Sequence, residues 1–302
     1  MTSKGKDGES LNRATGLLVI EVRHSNPNGD PDAESDPRTT DADGRGLISP
    51  VSLKRKLRDL VEQHEGPAWT EADATLTLTD GARRYQILES RGREREKIFA
   101  MDAKTFSDEF WDARVFGNTF LEDIKGKETK PGEKDHFIST GVVQFGAGVS
   151  VAPIEIERMT TTNKAGVEKG KDRGMAPLGW RVVRHGLYTM PFFVNPMMAA
   201  KTGCSRLDIE LLKFLIPYAY SSTASASRPF VEIRHAWYAE HKSPLGSCPD
   251  HLIIDNLTPK KVKGSPDAPS TSIDEYEVPI ELPAEVKKRL LPVVDLCLIE
   301  WT

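Results

Sequence analysis

Asp30, Asp32, Glu34 and Asp36 stand at alternating positions after Asn26-Pro27-Asn28-Gly29, the spacing with which a loop offers oxygen ligands to a hard cation. In detail the loop departs from a calcium site. Pro31 holds the second position, Ser35 stands where the glycine belongs, and Asp41 rather than glutamate closes the loop. The expectation is no bound metal and no cofactor. His24 lies close enough in sequence to serve with Asp30 as an acid-base pair, but one exposed histidine near carboxylates is usually incidental. The chain has no GxxxxGK[ST], HExxH, GxSxG or GxGxxG motif, so no catalytic residue is expected.

Cations supply the second chemistry. Lys54, Arg55, Lys56 and Arg58 crowd into about one and a half helical turns. They read as a grip for phosphates or as a solvated helix face, with neutralisation by the acidic loop as a further alternative. Four phosphate contacts to a single strand would give log K against log salt a slope of about −2.8. A third group lies between Pro153 and Arg184, where Arg158, Lys164, Lys169, Lys171, Arg173, Arg181 and Arg184 face Glu155, Glu157, Glu168 and Asp172. Met159 beside Arg158 is either an apolar tip that wedges between bases or an ordinary residue of a surface hairpin.

The chain that must position these residues has 302 of them, a formal charge of −4 and an isoelectric point near 6.0. That balance argues against holding nucleic acid by bulk charge, so any polyanion is met by a local patch. Cys204, Cys248 and Cys297 form no CxxC pair, and the charged opening MTSKGKDGES is unlike a secretory signal. A reduced, cytoplasmic protein is the expectation.

Residues 1–14 read as a mobile tail and 15–302 as one domain. Leu17 to Val22 forms a strand that feeds the acidic loop. Ser49-Pro50 then caps a helix whose apolar face is Leu53, Leu57, Leu60 and Val61. Residues 65–134 read as a charged, irregular insertion anchored by Trp69, Phe106, Phe110, Trp111 and Phe116. Strand character returns at Ile138 to Val151 and Trp180 to Val194, the arms of an extended hairpin. Ser205 and Asp208 open a second helix that Pro217 stops, and Phe230 to Tyr238 is a further strand. Strand, helix, strand, strand, helix, strand is the order of an α+β ferredoxin-like (RRM-like) domain, with two helices on one sheet face and the other face open. A Lys/Pro/Ser linker, Thr258 to Ser272, precedes a terminal helix and a strand with no assigned place.

Asn26-Pro27-Asn28-Gly29-Asp30-Pro31-Asp32 followed by Ser52-Leu53-Lys54-Arg55-Lys56-Leu57-Arg58 resembles the start of the backbone subunit of the type I CRISPR Cascade complex, the Cas-seven family. Subtypes I-C and I-B are the most similar. The resemblance continues through Gly141-Val142-Val143-Gln144, Ile156-Glu157-Arg158-Met159-Thr160, Arg173-Gly174-Met175 and His185-Gly186-Leu187-Tyr188, and spans residues 17 to 257. It implies a ferredoxin-like palm, a finger insertion (65–134) and a thumb hairpin (153–180). Similar subunits polymerise on a CRISPR guide RNA, displace guide bases with the thumb and leave the remaining bases free to pair with target DNA. On that resemblance Lys54, Arg55 and Arg58 hold guide phosphates, with Asn26, Asn28 and Gln144 nearby. Arg158, Met159 and Thr160 meet the displaced base, and Arg173 belongs to the same RNA-binding set. The chain reads GVVQ at 141–144 where relatives often carry a more basic RGPVQ.

The leading expectation is therefore a non-catalytic scaffold of an antiviral interference complex. Its partners would be guide RNA, target DNA, copies of itself in a helical filament, and the large, small and guide-capping subunits, with no membrane. One alternative is a metal-dependent RNA endonuclease of a type III-like complex acting through Asp30 or Asp32. A guide-processing endonuclease is another.

Overall fold

The computed structural model describes residues 11–78, 84–90, 97–98, 101–118, 139–163 and 176–301. The elements used below are β1 (Ala14–Ser25), β2 (Arg45–Ile48), α1 (Pro50–Glu62), α2 (Pro67–Leu76), α3 (Ala103–Glu109), α4 (Trp111–Phe116), β3 (Val143–Phe145), β4 (Gly148–Pro153), β5 (Ile156–Asn163), β6 (Ala176–Val194), α5 (Arg206–Leu215), β7 (Val231–Glu240), α6 (Asp250–Leu257), α7 (Ala284–Lys287) and β8 (Val294–Asp295). Together they make a mixed α/β fold built on one eight-stranded sheet, ordered β8-β7-β1-β6-β4-β2, with β3 and β5 also paired to β6. Neighbours in this sheet run antiparallel.

β1 is the centre of that order, and its sequence explains why. Leu17, Leu18, Val19 and Ile20 are all fully buried, so apolar side chains point to both faces of the strand. Leu18, Ile20 and Val22 join a core with Leu53, Leu57 and Leu60 of α1 and Leu211, Leu212 and Leu215 of α5. Both helices start where the sequence says. The Ser49 side chain accepts from Ser52 N with Pro50 in the first turn, and Ser205 and Asp208 close a capping box.

The second face is not open, contrary to the expectation. Leu17 packs with Trp237, Leu257, Leu282, Val286 and Leu290, and Val19 with Leu187 and Tyr276. The segment after Thr258, which had no assigned place, lies across this face and ends as β8 beside β7. Its linker is held as well: Ser270 is 1% exposed, takes the Tyr276 hydroxyl proton at 2.8 Å and meets His185 Nδ1 at 2.7 Å.

The expected tail and insertion are described only in part. Of residues 1–14, only 11–14 are described, and there Leu11 is buried and Ala14 opens β1. The described part of 65–134 is helical rather than irregular, in α2, α3 and α4. Trp69, Trp111 and Phe116 belong to the main core, which is why this stretch is not a loose appendage. Arg114 of α4 joins it to α5. Its guanidinium meets both Asp208 oxygens at 2.7 and 3.1 Å, and the two side chains are 1% and 0% exposed.

Removing one partner of such a pair strands a buried charge. Arg114→Met is expected to lower unfolding free energy by about 3–5 kcal/mol in urea titrations; a change inside experimental error would show the pair to be dispensable. Val286→Asp puts a carboxylate into the apolar cluster on the second face and should speed protease cleavage in 258–283 at least about tenfold. Cleavage at the wild-type rate would show that the segment is held by something other than this contact.

Candidate nucleic-acid interface

β1 ends in a knot of asparagines that draws four distant segments together. Asn26 donates from Nδ2 to the Ser35 carbonyl at 2.7 Å and the Arg181 carbonyl at 3.2 Å, while its backbone N–H donates to Ser227 O at 2.9 Å. Asn28 Oδ1 accepts from Ser49 N at 2.7 Å, which ties the loop to the first turn of α1. The backbone is strained around this knot. His24, Glu34 and Ser35 have φ of 42°, 52° and 64°, three of the four positive-φ residues other than glycine among the described residues. Such strain gathers where a fixed local shape is required.

Beside the knot lies a cleft of about 200 Å³ lined by Asn26, Glu34, Ser35, Arg158, Gly179, Trp180, Arg181 and Ser227. It forms where β5 and β6 leave the sheet as a two-stranded ribbon, with Arg158 opposite Arg181, Met159 opposite Trp180 and Thr160 opposite Gly179. Arg158 lies over Gly179, where a Cβ would stand 3.6 Å from its Nε, an ordinary contact distance. Met159 is 42% exposed and Thr160 is exposed as well. An aromatic edge, a guanidinium and amide groups around a cleft of this size suit a flat, polar-rimmed ring next to a phosphate. Arg173 lies outside the described residues.

Four of the six acids in the loop are paired, but not with α1. Arg38 meets Asp30 at 3.4 Å and Arg45 meets Asp43 at 2.9 Å, while Arg181 bridges Glu34 at 3.0 Å and Asp36 at 2.5 Å. His24 faces Glu157 at 3.3 Å and makes no pair with Asp30. Among the described residues no three His, Cys, Asp or Glu side chains gather as a metal site. No described helix is long and apolar enough to cross a membrane.

The four α1 cations have separate fates. Arg58 is 3% exposed and bonded to buried Asp112 at 2.8 Å and to Glu89 at 3.0 Å, so its guanidinium is withdrawn from the surface on which the sequence placed it. Arg55 is held by Asp59 at 2.5 Å and Glu62 at 2.9 Å. Lys56 is buried against Tyr220. Of the four, Lys54 alone is half-exposed with no ion pair among the described residues; it lies 5.3 Å from the Phe116 ring centroid. Burial and then the nearby Arg58 charge push its ammonium pKa down. Phe116 in turn meets Phe145 with ring centroids 6.2 Å apart, and exposed Gln144 is the neighbour of Phe145 on β3.

The fold therefore brings Asn26 to Arg158 around one cleft, and sets Lys54 and Gln144 on either side of an aromatic pair. Asn28 serves the helix start. Trp180, Arg181, Ser227 and Arg228 were not singled out together by sequence reasoning. The only local sign of the last two was a Ser/Ala-rich turn, whose place beside Asn26 depends on a contact about 200 residues away along the chain.

Comparison with known proteins bears on the family. The family model described as CRISPR-associated protein Cas7 matches residues 12–281. A CRISPR-associated protein Cas7 of Haloferax volcanii is 28% identical over 223 residues, 68% of this chain and 63% of the relative, so the chain spans under two thirds of that relative's length. Among solved structures, a chain of a CRISPR RNA-guided surveillance complex in a pre-nicking state aligns with TM-score 0.46 and 14% identity, covering 76% of this chain and 78% of its own. A chain of a second CRISPR RNA-guided surveillance complex aligns with TM-score 0.43 and 16% identity, covering 76% and 69%. With the family matched across most of its length, the chain belongs to the CRISPR-associated protein Cas7 family.

Proposed function

We propose that this protein is a guide-RNA-binding backbone subunit of a type I, Cascade-like surveillance complex. Copies assemble along the CRISPR RNA, present its bases to target DNA, contact the other subunits of the complex and perform no chemistry themselves. The supporting observation is the pattern of free charge beside the asparagine knot. Among the described residues Lys54 and Arg158 carry no ion pair, whereas Asp30, Glu34, Asp36 and Asp43 of the adjacent loop are matched by Arg38, Arg45 and Arg181. Local positive charge without a partner, next to amides and an aromatic cleft, is what a single strand's backbone and bases require.

On this reading β7-β1-β6-β4 with α1 and α5 is a ferredoxin-like palm. The β5/β6 ribbon is the base of the thumb, and residues 65–134 contribute the finger. Asn26, Gln144, Met159 and Thr160 line the strand's path with the two free cations, and Arg173 is kept in the same set on the sequence resemblance alone. Asn28 and Arg55 act at one remove, Asn28 by fixing the start of α1 and Arg55 by stiffening its outer face.

Protein co-expressed with a CRISPR array should elute as a large species rich in absorbance at 260 nm that nuclease shortens. A nucleic-acid-free monomer under those conditions contradicts the proposal. Lys54→Glu combined with Arg158→Glu should cut co-purified RNA at least about tenfold with an unchanged melting temperature, and lower the salt slope by about 1.4. Arg58→Glu should behave otherwise, unfolding the protein because Asp112 is left buried beside a like charge; a folded, RNA-free Arg58→Glu protein would return Arg58 to the phosphate-binding set.

A further inference from the structure

Behind α1, on the side away from Arg55, three polar side chains converge without satisfying one another. Lys56 is 5% exposed and its Nζ lies 5.1 Å from the Tyr220 ring centroid, with no hydrogen bond or ion pair among the described residues. Tyr220 is 3% exposed and its hydroxyl is buried with no partner. Arg228 Nε is likewise buried and unpartnered, close enough for its charge to act on both Lys56 and Tyr220. Burial first, and then Arg228, bring the Lys56 ammonium down to about 8.

Two cations side by side and an idle hydroxyl form an unfavourable arrangement on their own. Buried polar groups are normally bonded, and neighbouring like charges oppose each other's ionisation. Asp59 is the one carboxylate near enough to favour the charged Lys56, and it is already bonded to Arg55. One tetrahedral anion would satisfy all three groups at once, accepting from an ammonium, a guanidinium N–H and a phenol. The turn at residues 221–228 that borders this corner is exposed along most of its length, and its Ser227 carbonyl holds Asn26 of the candidate interface.

We propose that Lys56, Tyr220 and Arg228 form a cradle for one phosphate group, and that in the assembled complex this group belongs to the guide strand. The second half of that statement rests on the function proposed above. Tyr220 and Arg228 would then bring the turn after α5 into the RNA path, on the opposite flank of α1 from Lys54.

The test compares wild type with Lys56→Met, Tyr220→Phe, Arg228→Gln and Lys54→Gln, each checked by urea titration. In the first arm, binding to a short single-stranded RNA is measured against salt concentration. Lys56→Met and Arg228→Gln should each weaken binding several-fold and lower the slope by about 0.7. Tyr220→Phe should weaken binding with the slope unchanged. In the second arm, inorganic phosphate is titrated while the melting temperature is followed. A phosphate-dependent rise that Lys56→Met abolishes, with RNA binding unaltered, would assign the cradle to free phosphate instead of the guide. If Lys54→Gln lowers the slope but the three cradle variants change neither arm, the cradle proposal is overturned and the proposed function stands. If wild type binds no RNA, the proposed function itself falls, while the phosphate arm still decides the cradle. Lys56→Met exchanges a buried charge for an apolar chain of similar length, so folding should survive it. Should it not, Tyr220→Phe, which removes only the hydroxyl, decides both arms.

Discussion

Burial of β1 on both faces is the constraint from which the rest of the molecule follows. A four-stranded sheet with one bare face can lay a single strand of RNA across that face, stacking bases on its aromatic residues. Here the corresponding face is taken by Trp237, Leu282, Val286, Leu290 and Tyr276. At the end of the strand the backbone leaves the sheet and polar groups become available, and it is there that the proposed RNA path runs. Asn26 and Asn28 lie at that end, and the loop, the helix start, the ribbon and the 221–228 turn are all fastened to them. The interface is therefore assembled from connections between elements, with the sheet acting as their rigid anchor.

Charge follows the same geometry. A protein of net charge −4 can hold a polyanion only if its acids are matched elsewhere and a few cations are left over. The helix shows how this is arranged. With Leu57 at the centre of the buried stripe, Arg55, Asp59 and Glu62 fall on the opposite stripe, and they pair there. Lys54 and Arg58 share one flank; Arg58 reaches the buried Asp112, and Lys54 remains outside. The neighbouring pairs in sequence, a run of four basic residues, therefore include only one half-exposed cation without an ion pair.

This is also where the sequence was legible and where it was not. Ser49-Pro50 and Ser205/Asp208 are local signals, because a cap bonds to residues two or three positions on, and both gave true helix starts. The Arg55 pairing at i+4 and i+7 was readable by the same logic, since Asp59 and Glu62 share its stripe of the helix. The match of Arg58 with Asp112, or of Lys56 with Tyr220, depends on which distant segment covers each flank, and no periodicity encodes that. The unbroken apolar run of β1 was itself a sign of two buried faces, since alternation is the mark of a strand with one face in water. The covering segment escaped notice because its pieces are short: Leu282, Val286 and Leu290 keep helical spacing, but nothing local says which surface they meet.

What selects one docking of that segment is polar rather than apolar. Glu21 is 2% exposed on the second face of β1, with His185 Nε2 at 3.5 Å, Arg23 at 3.4 Å and Arg234 at 3.6 Å. Burial works to raise its carboxyl pKa, but the adjacent His185 imidazole and the two guanidinium charges outweigh it and hold the pKa below its ordinary value. The Tyr276 hydroxyl donates to Ser270, whose Oγ lies 2.7 Å from His185 Nδ1, so Tyr276, Ser270, His185 and Glu21 follow one another as a line of buried polar contacts. Apolar contacts would tolerate a shifted segment, since Leu or Val can fill many hollows. A shift here would separate Ser270 from His185 and leave a charged chain of groups incomplete in a dry site, which is far more costly. The covering segment is thus held in register by residues of β1 and β6, close to the end of those strands at which the asparagine knot and the ribbon lie.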